Sequence, residues 1–264
     1  MDTRDTNTTR SVPLRVKRAA FSVLPASRRL PVRVAWMRAV RTLEPEVLAI
    51  PSIVERGGTA LDIGANHGVY SYFMVRHFDR VVAFEPQPVC ADSLRSWAKG
   101  RVEVRQVALS DHQGEGVLII PVKAGVPLTG YARLDESVDG ASVDLPVRVD
   151  RLDDQGLDNV RFVKIDVEGH ELAVLRGGES LLRTEQPVLL VEIEQRHLAP
   201  GQTIAEIVAH LSACGYDCFF RTAGGWTEFS QFRPDAHQDE ARVGKPGYVN
   251  MFLFRPRGSV STSP

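Results

Sequence analysis

From residue 59 onward, short apolar runs alternate with amphipathic stretches. TALDI (59–63) predicts a buried strand, VYSYFMVRHF (69–78) a helix and RVVAFE (80–85) a second strand. VCADSLRSWAK (89–99) follows as a helix and VEVRQVAL (102–109) as a strand. The pattern resumes with RFVKID (161–166) as a strand, a helix near 170–183, VLLVEI (188–193) as a strand and a helix near 203–213. YDCFF (216–220) and YVNMFLF (248–254) are strand-like, with a Gly-rich, polar connection (AGGW, 223–226) between them, which predicts an antiparallel pair at the end of the sheet. Strands that alternate with helices need parallel crossovers and a sheet covered on both faces. Residues 112–150 read as a polar insertion with small extra strands at 116–122 and 143–149.

Upstream the pattern is different. Val32, Trp36, Val40 and Leu43 recur at helical spacing, and prolines at 25, 31, 45 and 51 are expected to cut this region into short helices. The chain therefore divides into a polar, disordered tail (1–11), a helical cap or lid (12–55), an α/β domain (56–256) and a second disordered tail (257–264).

Composition narrows the class. A chain of 264 residues with 43% hydrophobic and 25% charged positions suits one large globular domain. No apolar run approaches the roughly 18–20 residues that cross a bilayer, and the N-terminus lacks a secretory apolar core, so a cytoplasmic protein is expected. Cys90, Cys214 and Cys218 are too few and too badly spaced for a disulfide scaffold or a zinc finger, and read as buried free thiols. The net charge of −1 conceals an asymmetry: residues 1–45 carry ten Lys/Arg against three Asp/Glu, and the rest of the chain is acidic. Such a leader is either a solvated arm on the acidic body or a contact for an anionic membrane surface, nucleic acid or a phosphorylated substrate. Its few aromatics argue against base stacking.

The strongest chemical signal is LDIGANHG (61–68), which follows a strand and opens a helix. Glycines there let the chain turn sharply and bring backbone N–H groups close to a ligand at the carboxyl ends of the strands. Glu85, at the end of the second strand, is placed to accept hydrogen bonds from both hydroxyls of a ribose. The loop spacing, D-x-G-x-N-x-G, is not the G-x-G-x-x-G of dinucleotide folds, which disfavours an NAD-dependent oxidoreductase. Asn66 tolerates left-handed backbone better than most residues. The carboxylate of Asp62 would repel a pyrophosphate and suits a sulfonium or an ammonium.

LDIGANHGVYS (61–71), VVAFEPQP (81–88), VALSD (107–111), VKIDVEGHE (163–171) and VLLVEIE (188–194) together resemble the FkbM-type class I methyltransferases, in the family's order and across roughly 59–200. The resemblance implies an α/β, Rossmann-like fold with a seven-stranded, mostly parallel sheet, an antiparallel last strand and helices on both faces. It implies S-adenosylmethionine as donor. Carried over to this chain, Asp62, Gly64, Asn66 and Gly68, with Ala65 and His67 between them, would line the methionine half of the cofactor. Glu85 and Pro86 would hold the ribose, and Ala108, Leu109, Ser110 and Asp111 would flank the adenine. Asp166 would close the site.

A second cluster, KIDVEGHE (164–171), follows a strand in the middle of the sheet, and Glu192 and Glu194 end the next one on a shared face. Asp166, Glu168, His170 and Glu192 are the catalytic candidates. Transfer to an alcohol needs the acceptor oxygen aligned and its proton removed, by Glu192 or by His170. Glu168 and Glu171 beside His170 should push the imidazole toward its charged form. Asp166 and Glu192 are also candidate Mg²⁺ ligands, although metal dependence is not favoured. Equally, these acids could cap the helix near 170 or pair with Lys164 and Arg196. The resemblance implies O-methylation of a sugar hydroxyl in a glycolipid, polysaccharide or other glycoside, or of a polyketide or other secondary metabolite. Nucleic acid or protein is a further alternative, opposed by the acidic body. The basic N-terminus would bring the enzyme to a membrane-bound acceptor.

Overall fold

The computed structural model describes residues 23–136 and 140–258. The two tails expected at 1–11 and 257–264 fall outside these residues, apart from 257–258. The chain opens with helices α1 (Ala26–Ala39) and α2 (Pro45–Ile53). It then alternates β1 (Thr59–Ile63), α3 (Val69–Met74), β2 (Arg80–Phe84), α4 (Pro88–Ala98) and β3 (Glu103–Arg105). Next come β4 (Ala108–Ser110), β5 (Gly114–Lys123), β6 (Val126–Pro127), β7 (Arg133–Leu134) and β8 (Ser142–Arg151). The second half contains β9 (Val160–Ile165), α5 (Glu171–Gly177), α6 (Glu179–Glu185), β10 (Val188–Glu192), α7 (Ile204–Ala213), β11 (Tyr216–Thr222), β12 (Gly225–Glu228), α8 (Pro234–His237) and β13 (Met251–Pro256).

The main sheet has eight strands in the order β12-β11-β13-β10-β9-β1-β2-β3. β3, β2, β1, β9 and β10 run parallel, and β13 is antiparallel to both β10 and β11. Seven strands were expected. The eighth, β12, folds back on β11 through a two-residue loop that ends in Gly224. The fold is thus the expected α/β class, with one more edge strand. β4 leaves the main sheet and pairs with β8, in a small sheet of order β4-β8-β5-β6 that also carries β7.

Each face of the main sheet buries its own core. Leu61, Ile63, Val163 and Ile165 pack under α5, α6 and α7, through Leu172, Leu182, Ile207 and Leu211. Ala60, Phe162 and Leu190 pack on the other face against Met74, Leu94 and Trp97, together with Leu30, Val34, Val47 and Ile50 of α1 and α2. The N-terminal helices therefore complete this core. Pro31 and Pro51 lie inside α1 and α2 rather than ending them. α4 starts at Pro88, whose missing N–H costs nothing at a first helical position. α7 is capped by Thr203, whose side chain accepts from Glu206 N. All three cysteines are free; Cys90 and Cys214 are buried and Cys218 is half-buried.

Candidate active site

The loop after β1 is fastened at both sides. Gly64 N and Ala65 N both donate to Phe84 O, at 3.0 and 3.1 Å, and Asp166 N donates to Ile63 O at 3.0 Å. Gly64 has φ +76°, and a Cβ there would lie 1.8 Å from the Asp166 carbonyl oxygen. Asn66 occupies left-handed space at φ 48°, and its N–H donates to Glu85 Oε2 at 2.7 Å. The other carboxylate oxygen, Oε1, accepts from Gln87 N at 2.8 Å. Burial pushes the Glu85 carboxyl up to about 7, against the pull of these N–H groups. Each carboxylate oxygen keeps a lone pair for a hydroxyl.

Around this loop lies a narrow crevice. Phe84, Val107, Leu109, Leu118 and Leu134 give it apolar walls, and Gly64, Asn66, Glu85 and Gln87 bring polar groups to it. Gln87 Nε2 donates to Thr129 O at 2.8 Å. Its Oε1 is buried and has no hydrogen-bond partner among the described residues. A buried carbonyl left unsatisfied is costly unless a ligand supplies the donor. A carboxylate fixed by two backbone N–H groups, apolar walls and an acceptor that lacks a donor together fit an adenosine-bearing molecule.

The expected cofactor residues divide into two groups. Gly64, Asn66, Glu85, Pro86, Ala108, Leu109 and Asp166 line the crevice. Asp62, Ala65, His67, Gly68, Ser110 and Asp111 are not part of its lining. Asp62 is buried beneath the loop, where Oδ2 accepts from Ser71 N at 2.9 Å and Ser71 Oγ at 2.5 Å. Burial pushes its carboxyl up to about 6. Gly68 N donates to Ala65 O, which closes the turn into α3. His67 is half-buried. Ser110 Oγ lies 2.9 Å from His170 Nε2, behind the wall, and Asp111 contacts His112 on the surface.

A second cavity, of about 410 Å³, adjoins the first and shares Gly130, Asp166 and Glu168 with it. Glu44, Tyr131, Glu192, Glu194, Arg196, Tyr248 and Asn250 also line it. Asn250 Nδ2 donates to Glu192 Oε1 at 2.6 Å. Burial, together with the Asp166 charge, pushes the Glu192 carboxyl well above the usual range. Glu168 pairs with His197 at 2.8 Å, and Glu194 pairs with Arg196 at 2.7 Å and accepts from Tyr248 OH. Beneath this rim Lys164 Nζ lies 3.7 Å from Asp166 Oδ2 and 4.0 Å from Glu192 Oε2. Among the described residues, no three or more His, Cys, Asp or Glu side chains are grouped to hold a metal ion. The cation beside Asp166 and Glu192 is Lys164.

His170 corrects one expectation. It lines the first cavity and not the second. Burial lowers its pKa, and the charge of Asp111 only partly opposes this. Asp111 and Asp135 favour its charged form, but Glu168 and Glu171 do not, because they turn away. Glu168 goes to His197, and Glu171 Oε1 accepts from Gly169 N at 2.9 Å.

Glu171 is itself buried, its Oε2 has no hydrogen-bond partner among the described residues, and burial pushes its carboxyl up to about 7. Its folded-state pKa lies above the unfolded value, so the folded protein holds the proton more tightly. The stability this gives is full below the unfolded carboxyl pKa and is lost as pH rises through about 7. Glu171→Gln is therefore expected to stabilise the protein at pH 8 by about 1–3 kcal/mol and to change little at pH 5. Urea unfolding at both pH values checks this; a variant equally destabilised at both would contradict it.

Several residues of the site were not singled out: Gln87, and on the second cavity Glu44, Gly130, Tyr131, Tyr248 and Asn250; Lys164 and Arg196, expected as ion-pair partners of the acids, do pair with Asp166 and Glu192 and with Glu194. Tyr248 and Asn250 had a signal. They precede the antiparallel last strand, so they fall at the carboxyl edge of the parallel strands. Glu44 lies between the two N-terminal helices, and Tyr70 OH donates to it at 2.6 Å.

Residues 62–218 match the model of the methyltransferase FkbM domain. The methyltransferase sdnD of Sordaria araneosa is 32% identical, over 44% of this chain and 59% of that protein. The chain thus spans about three fifths of the length of that curated relative. Among solved structures, an FkbM methyltransferase from Methylobacillus flagellatus KT is 17% identical with a TM-score of 0.46, covering 91% of this chain and 59% of that one. A TehB-like SAM-dependent methyltransferase from Corynebacterium glutamicum is 10% identical with a TM-score of 0.43, covering 88% and 98%. The family model covers more than half of the sequence, and it includes the β1 loop, Glu85 and the acidic rim; the chain belongs to the methyltransferase FkbM domain family.

Proposed function

We propose that the protein is an S-adenosylmethionine-dependent O-methyltransferase that acts on a hydroxyl of a sugar, in a glycolipid, polysaccharide or other glycoside. The observation that carries this reading is the shared wall of the two cavities. Glu85 and Gln87 offer an adenosine site on one side of Asp166, and Glu192 stands on the other side. When bound, the donor supplies a methyl group on a positively charged sulfur. This chain's residues do the rest. Glu85 and the Gly64–Asn66 turn orient the donor, and the second cavity aligns the acceptor oxygen for in-line attack. As the O–CH₃ bond forms and the S–CH₃ bond breaks, the hydroxyl proton passes to a carboxylate at the rim. Glu192 is the base we favour. Asn250 holds its Oε1, which leaves Oε2 for the proton, whereas His170 lies on the donor side. Several carboxylates, two tyrosines and an asparagine suit the vicinal hydroxyls of a sugar.

The N-terminal segment supports approach to an anionic surface. Between Asp5 and Glu44 the sequence has nine Lys/Arg and no acid, and Val32, Trp36 and Val40 of that region are exposed. No helix among the described residues is long and apolar enough to cross a membrane.

The test is transfer of labelled methyl from S-adenosylmethionine into a glycolipid and glycan extract, presented with neutral or anionic vesicles. Label recovered as an O-methyl sugar after acid hydrolysis is the expected result, with a higher rate on anionic vesicles. Label found only in RNA or protein would overturn the acceptor assignment, and equal rates on both vesicles would remove the membrane approach.

A further inference from the structure

Lys164 stands near the crevice end of β9 and is 1% exposed. Alternation along the strand puts it on the face of Phe162, under the N-terminal helices. An ammonium in this position needs compensation, because burial opposes its charge. Its Nζ donates to Ile165 O at 3.0 Å and lies 4.9 Å from the centre of the Tyr70 ring. The carboxylates of Asp166 and Glu192 complete its surroundings, at 3.7 and 4.0 Å. Lys164 lines neither cavity, so it does not touch what binds there.

The neighbouring acids are committed elsewhere. From β1, Asp62 is held by Ser71. Ahead of α2, Glu44 accepts from Tyr70 OH. On the cavity side, Glu168 is paired with His197 and Glu194 with Arg196. Glu46 of α2 is a more distant member of the same field, and burial raises its pKa. Asp166 and Glu192 are left sharing the Lys164 ammonium. Asp62 and Glu44 accept only from neutral donors, keep their charges and also act on the ammonium, but Asp166 and Glu192 are the carboxylates with oxygens within 4.0 Å of it, where the two cavities meet.

We propose that Lys164 is a positioning residue. Its buried ammonium binds Asp166 and Glu192 from beneath and determines which of the two receives a proton at the boundary of the two cavities. The source of that proton, an acceptor hydroxyl, rests on the reading given above; the electrostatic arrangement does not. Two carboxylates and one ammonium form a coupled set, so a change at one member moves the titration of the others. The ammonium favours an ionised Glu192 and Asp166 disfavours it, so removing each must act in opposite directions.

The test is a titration of full-length protein labelled with ¹³C at glutamate carboxyls, in which the Glu192 signal is assigned by its loss in Glu192→Gln. Lys164→Met is expected to raise the Glu192 midpoint by at least about one pH unit, and Asp166→Asn to lower it. Lys164→Arg should stay near wild type, and His170→Gln should leave the midpoint in place. If Lys164→Met does not fold, the double variant Lys164→Met/Asp166→Asn removes one charge of each sign. Compared with Asp166→Asn alone it should show the same upward step. A purely structural lysine would lower melting temperature without moving the midpoint. An unmoved midpoint in Lys164→Met, or shifts of the same sign in Lys164→Met and Asp166→Asn, overturns the proposal. The measurement needs no methyl transfer, so its outcome is independent of the acceptor's identity.

Discussion

Glu85→Ala is expected to weaken binding of S-adenosylhomocysteine at pH 8 by about 10- to 150-fold, the equivalent of the roughly 1.5–3 kcal/mol carried by hydrogen bonds to a charged group. The carboxylate is buried, and the Asn66 and Gln87 N–H groups hold both its oxygens in one orientation. Little reorganisation is therefore required when hydroxyls arrive. Glu85→Gln is not a mild substitute. Its amide NH₂ would face one of the two N–H donors, so the loop is disturbed as well. Because burial places the Glu85 carboxyl at about 7, wild-type affinity should fall as the pH drops below that value and the acceptor becomes protonated. Calorimetric titration at pH 8 and pH 5.5 measures both effects. Unchanged affinity in Glu85→Ala, with the protein still folded, would remove Glu85 from the donor site.

Gly64→Ala should have the largest effect on stability. The backbone there is left-handed, and the added Cβ would sit 1.8 Å from the carbonyl oxygen of Asp166. That oxygen cannot retreat cheaply, because Asp166 N is bonded to Ile63 O and the register of β1 on β9 depends on the same contact. Backbone strain of about 1–3 kcal/mol adds to the steric term, and a loss on the order of 4 kcal/mol or outright failure to fold is expected. Gly100→Ala is the control, since its φ is +84° and nothing lies within 4 Å of the added atom. It should lose only about 1 kcal/mol. Equal urea midpoints for the two variants would show that the close approach of β1 and β9 does not constrain the loop.

The sheet and most helices were legible in the sequence because their apolar periods are clean. Misreadings arose where the period slips. Val102 and Val104 alternate, as do Val107 and Leu109, but the step from 104 to 107 is three residues. That step reverses the pleat, so the expected single strand becomes β3 in the main sheet and β4 in the small one. The helix expected near 170–183 is two helices, broken between Gly177 and Gly178. A Cβ on Gly177 would lie 1.9 Å from Ser110 O, which is why α5 can pack so closely on β4. The hairpin at 222–225 announced itself through its glycines but read as an irregular connection.

The candidate site was legible along the strands and not across them. Gly64, Asn66, Glu85 and Asp166 follow from strand ends, because a parallel sheet delivers its carboxyl ends to one edge. The direction in which Asp62 points does not follow from spacing; only the packing of α3 turns it toward Ser71. Lys164 had been a possible ion-pair partner in the sequence, and its placement beneath both Asp166 and Glu192 depends on which face of β9 the N-terminal helices cover.

A crystal structure of the protein with S-adenosylhomocysteine tests the central claim most directly. The ribose hydroxyls should lie on Glu85, the adenine between the apolar walls near Leu109, and the sulfur toward Asp166 and the second cavity. A ligand seated elsewhere, or a crevice closed by side chains with the ligand absent at saturating concentration, would contradict the account.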